Sequence, residues 1–175
     1  MRIINLHQLL ILLLAVLLHA CGGKTKSIEV TTPTLELTAE GPLFEGANTA
    51  TATWELDLQT LLAEAGVEQS KLKEAKIKRI TLTLQEGEEL PSLEKMVMEL
   101  TSKNLSMTRV GLYEGKIEAG KAFELAVAQQ QENLKAAFED GKITFVGDFD
   151  LIDDEYWESL QFTLSVTFEL GVSDS

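Results

Sequence analysis

The sequence predicts an all-β chain: an antiparallel β-sandwich, jelly-roll or immunoglobulin-like, with two short crossover helices. Two observations predict it. Apolar residues alternate with polar ones at a period of two in stretch after stretch, which gives strands with one buried face. These stretches are short and near-regularly spaced, and only two segments switch to helical spacing, so two sheets packed face to face suit them.

Taken in order, Leu35 and Leu37 open the series, and Trp54, Leu56 and Leu58 alternate with Thr53, Glu55 and Asp57. Leu58, Leu61, Leu62 and Ala65 then fall at helical spacing, with Asp57 as the N-cap and Gly66 as the left-handed stop. Ile80, Leu82 and Leu84 alternate with Thr81 and Thr83. Met96, Met98 and Leu100, then Val110 and Leu112, are shorter alternations. Phe123, Leu125 and Val127 read as a strand ahead of a helix over residues 129–139, with Leu134, Ala137 and Phe138 on one face; a single longer helix is the competing reading. Ile143, Phe145, Phe149 and Leu151 form the next inward face, on which Gly147 marks a bulge or a close approach. The clearest strand is the last, with Leu160, Phe162, Leu164, Val166, Phe168 and Leu170 inward.

The beginning of the chain has a different character. Arg2 precedes an unbroken apolar run from Leu9 to Leu18, too short for a bilayer span of about 20 residues. A charged start, a short apolar core and small residues make a secretory signal. Leu18-His19-Ala20-Cys21 resembles the bacterial lipobox, with His19 departing from the usual small or aliphatic residue. The resemblance implies cleavage before Cys21 and acyl chains, palmitate among them, on its thiol and new amine. More than one chain is needed for stable anchoring. The expected organisation is therefore a signal over 1–20, a flexible tether over 21–33 and a β-sandwich domain over 34–175. Gly22 after the Cys resembles the pattern for outer-membrane delivery, and Lys24-Thr25-Lys26 in place of an acidic tract favours the periplasmic face over the cell surface.

Processing removes His7 and His19, the only histidines, and commits the only thiol to the anchor. That excludes His-based acid/base catalysis, Ser/His/Asp and Cys/His nucleophilic sites, zinc fingers and intrachain disulfides. The net charge of −13 argues against nucleic acid as a partner, since such binding needs a basic surface. No cofactor motif is present.

Candidate chemistry is sparse. Asp148 and Asp150 share a strand face, and Asp153, Asp154 and Glu155 are expected in the following turn; such a cluster is either a calcium site or a solvated face. Tyr156-Trp157 beside these acids either stacks on a sugar or covers the sandwich end, and the exposure of Trp157 separates the two. Trp54 has core parity. Met96 and Met98 also face inward, for packing rather than copper(I). Glu86, Glu88 and Glu89 around Gly87 look like a polar hairpin turn.

A lipobox followed by an acidic all-β domain, with Trp54-Glu55-Leu56-Asp57-Leu58, a short helix and Ile77-Lys78-Arg79-Ile80-Thr81-Leu82-Thr83-Leu84, resembles small β-sandwich lipoproteins of unassigned function common in Bacteroidetes. The resemblance rests on pattern over residues 48–172 and implies no catalytic residue. The expected function is a non-catalytic, lipid-anchored envelope module that binds a partner or supports an assembly. The alternative is a carbohydrate-binding or adhesin module using Tyr156 and Trp157. Membrane contact is expected only through the lipid, with an envelope protein or glycan as partner.

Overall fold

The computed structural model describes residues 25–173. The strands are β1 (Thr25–Thr31), β2 (Leu35–Ala39), β3 (Leu43–Glu55), β4 (Leu72–Leu84), β5 (Leu93–Ser102), β6 (Leu105–Ile117), β7 (Ala122–Glu124), β8 (Ala126–Val127), β9 (Lys142–Tyr156) and β10 (Leu160–Ser173). Helix α1 (Leu58–Glu64) lies between β3 and β4, and α2 (Lys135–Glu139) between β8 and β9.

All pairings are antiparallel, in the order β7-β4-β10-β2-β3-β9-β5-β6-β8. The β2–β3 ladder consists of the single pair Thr38–Thr51, so the array folds there into two sheets. One sheet is β2-β10-β4-β7 and the other β3-β9-β5-β6, with each consecutive pair of strands placed across or beside as two Greek keys require. This is a jelly roll, not an immunoglobulin-like sandwich. On the far side, Leu125 N–H donates to Ile80 O at 3.1 Å and Ala128 N–H to Val110 O at 3.1 Å. Residues 122–128 thereby bridge β4 to β6 and nearly close the barrel.

The alternations fall as predicted. Leu160, Phe162, Leu164, Val166, Phe168 and Leu170 are all buried, as are Ile143, Phe145, Phe149 and Leu151. Gly147 faces inward without a register shift; a Cβ there would lie 3.0 Å from both Leu37 Cδ2 and Met96 Sδ, so close approach explains it. Asp57 caps α1 by accepting from Gln59 N and Thr60 N, and Gly66 takes φ +70° after it. Strand precedes helix over 119–139, although the helix is confined to Lys135–Glu139.

Two expectations are corrected. The flexible stretch placed over 21–33 does not hold over Thr25–Thr31, which pair residue by residue with Ser173–Thr167 of β10. Ile28 and Val30 supply a short inward alternation that the flanking polar residues mask. β1 and β2 occupy the same edge of β10, broken at Thr32-Pro33-Thr34. There Pro33 has no N–H, and buried Thr32 takes over, donating its N–H to Val166 O at 2.9 Å and accepting from Val166 N at 3.1 Å on Oγ1. Second, residues 85–92 are not a hairpin: β4 and β5 belong to different sheets, so the Glu86–Glu89 segment crosses the end of the sandwich.

The connections segregate to two poles. Residues 40–42, 85–92, 118–121 and 157–159 lie at one. α1, α2 and the β5–β6 turn lie at the other, with Thr25 and Ser173. Strand β10, 14 residues long, separates the poles by roughly 40 Å. Among the described residues no helix is long and apolar enough to cross a membrane.

Candidate functional site

The loop pole carries the exposed aromatic. Strand β9 runs to Tyr156, and Trp157 begins the short crossing to β10. A residue in that crossing has no strand parity to turn it inward. Trp157 is 69% exposed, so the expectation that it covers the sandwich end does not hold. Tyr156 is half-buried against the core and paired with Leu43. Burial first, and then the charge of Glu158 and a hydrogen bond to it, push the Tyr156 hydroxyl above the ordinary tyrosine value.

An open concavity of about 750 Å³ surrounds this pair, lined by Glu88, Glu89, Glu155, Tyr156, Trp157 and Glu158. The same pole exposes Phe44, which pairs with Glu155, and Ile152. The loops are braced: Ser159 Oγ donates to Glu40 Oε2 at 3.0 Å and accepts from Gly41 N at 3.2 Å. The result is an indole and a phenol ringed by carboxylate acceptors, with apolar side chains alongside.

The acidic cluster is dispersed. Asp153, Asp154 and Glu155 continue strand β9 instead of forming a turn. Asp148 accepts from Thr49 Oγ1 at 2.7 Å, Asp150 faces Lys95 at 3.6 Å, and Asp153 accepts from Ser92 N at 2.5 Å. Asp154 is exposed. Among the described residues no three His, Cys, Asp or Glu side chains are gathered as metal ligands. Strand extension is the reason, because alternation sends successive carboxylates to opposite faces. Met96 and Met98 are fully buried in the core. Cys21 lies outside the described residues.

The helical pole contrasts with this. Trp54 is buried, stacked 5.9 Å from Phe168 and edge-on to Phe138 at 5.9 Å. Beside it a groove of about 560 Å³ runs between β1, the end of β3 and α1. The sequence gives no sign of this groove, because it depends on how β1, the end of β3 and α1 come together in space, which no local pattern reports.

No protein-family model matches the chain, and no curated protein sequence matches it. Several solved structures align with the chain at low TM-score. A chain of Desmodium yellow mottle tymovirus is 12% identical with a TM-score of 0.33, covering 87% of this chain and 90% of that one. Turnip yellow mosaic virus gives 11%, 0.29, 86% and 95% respectively. The virus-like particle of Macrobrachium rosenbergii nodavirus gives 6%, 0.34, 89% and 87%. At these values the likeness carries no inference about function, and the assignment of the fold rests on the strand order.

Proposed function

We propose that the protein is a non-catalytic, lipid-anchored module of the cell envelope that binds a partner at the pole bearing Trp157. The observation that carries this reading is a polarity: Trp157 is 69% exposed among carboxylates at the end opposite Thr25, where the chain arrives from the lipobox-like Leu18-His19-Ala20-Cys21. An anchor at Cys21 would hold the helical pole toward the membrane and the aromatic pole away from it. The lack of histidine after processing supports a binding role over catalysis. The outer membrane, periplasmic face, is the location the residues after Cys21 favour.

Two measurements test this. Labelling with a palmitate analogue should mark the wild-type chain and not Cys21→Ser, which should also leave the membrane fraction; retained label in the variant would sink the anchor. Cross-linking in whole cells should capture a partner through Trp157→benzoylphenylalanine and not through a probe at exposed Met107. A second reading, carbohydrate binding, is favoured by the exposed indole face beside acceptor oxygens, the combination a sugar ring stacks on. Quenching of Trp157 fluorescence by oligosaccharides would select it.

A further inference from the structure

We propose that the groove between β1 and α1 is a β-augmentation site for an extended, basic segment of a partner polypeptide, independent of the Trp157 pole. Thr32 N–H is bonded to Val166 O, so the antiparallel alternation places the peptide groups of Ile28 and Val30 toward β10 and those of Glu29 and Thr31 away from it. The outward peptide groups of Glu29 and Thr31 have no hydrogen-bond partner among the described residues. Strand β1 pairs with β10 and with no other strand among the described residues, so its outer edge is left without a ladder partner.

The opposite edge of the same sheet is treated differently. Where β7 stops short of the lower half of β4, side-chain amides replace it. Gln131 Oε1 accepts from Ile77 N at 2.8 Å and Gln131 Nε2 donates to Ile77 O at 2.9 Å. Asn133 Oδ1 accepts from Ala75 N at 3.0 Å and Nδ2 donates to Lys73 O at 3.0 Å. One edge is thus closed by dedicated amides and the other is open onto a groove.

The groove's lining states the chemistry of the occupant. Val30, Trp54, Leu56 and Leu61 give an apolar floor, and its volume of about 560 Å³ lies within the range of ligand pockets. Glu29, Asp57 and Glu64 stand along its sides, and only Glu29 has a cation, Lys78, as partner. An added strand would take ladder bonds from Glu29 and Thr31, place apolar side chains on the floor and point Lys or Arg at the carboxylates. A second copy of this acidic chain would bring like charge to the same rim.

The test uses the full-length protein in detergent and a fluorescent peptide of alternating valine and lysine. Anisotropy should report binding that weakens about tenfold or more with the same peptide N-methylated throughout, which keeps charge and removes the ladder donors. The exposed pair Glu29→Lys and Glu64→Lys should weaken the unmethylated peptide by a similar factor, while Trp157→Ala leaves it unchanged. Equal binding of the methylated peptide, or no binding of the unmethylated one, overturns the proposal. So does a sedimenting dimer that competes with the peptide, which would assign the edge to a second copy. Loss of binding in Trp157→Ala would move the site to the other pole.

Discussion

The two tryptophans divide the molecule. Trp54 sits within strand β3, on the same parity as Ala50 and Ala52, and is packed between Phe138 and Phe168 at the helical pole. Trp157 lies between Tyr156 and Glu158, one residue past the end of β9, and is exposed. Position relative to the strand, not residue type or local charge, decides which aromatic becomes core and which remains free to meet a ligand.

Truncation of the buried tryptophan has the largest effect. Trp54→Ala should cost about 3–5 kcal/mol, because its stacked and edge-on neighbours cannot collapse into the space. Denaturant unfolding measures it, and a cost below about 1 kcal/mol would mean that the helical pole is loosely packed. Gln131→Leu removes the amide that serves Ile77 N–H and C=O, and should cost about 1–3 kcal/mol in the same assay.

The next effect is in acid. Hydrogen bonds from the Ser102 hydroxyl and then the Asn104 backbone hold the Asp140 carboxyl below the ordinary value of 3.8. The Thr60 hydroxyl and backbone do the same for Asp57. A carboxyl with a lowered folded-state value stabilises the fold fully above its ordinary value and loses that contribution as pH falls through the folded one. Melting temperature should therefore drop between about pH 5 and pH 2, and Asp140→Asn should flatten that drop. An unchanged acid limb in the variant would show that Asp140 does not tie α2 to the β5–β6 turn. The smallest stability effect belongs to Trp157→Ala, within about 0.5 kcal/mol, together with loss of the acrylamide-accessible part of the emission. A larger cost would contradict its exposure.

The sequence made the strands legible wherever one face alternates without interruption, as from Leu160 to Leu170. The capped helix from Asp57 to Gly66 was equally plain, since each signal acts within one turn. Jelly roll could not be separated from immunoglobulin-like order, because that depends on which strands pair. β1 escaped notice since only Ile28 and Val30 mark it among polar residues. The acids from Asp153 to Glu155 suggested a turn by composition, yet β9 continues through them because Phe44 and Leu43 supply partners across the ladder. Trp157 stands out in the sequence as an aromatic among acids, while its exposure depends on where β9 ends. The groove beside α1 left no local trace at all.

Thr25 pairs with Ser173, and β10 begins at Leu160, beside Trp157 at the other pole. A load applied between Thr25 and Trp157 therefore pulls β1 and β10 along their own axes in opposite directions. The 7 rungs of that ladder, from Thr25–Ser173 to Thr31–Thr167, bear such a load together in shear instead of opening one after another. A load between Thr25 and Ser173 would peel the same rungs singly. The chain is mechanically strong in the direction that tension between its N-terminal side and a partner on Trp157 would take, and weak across it.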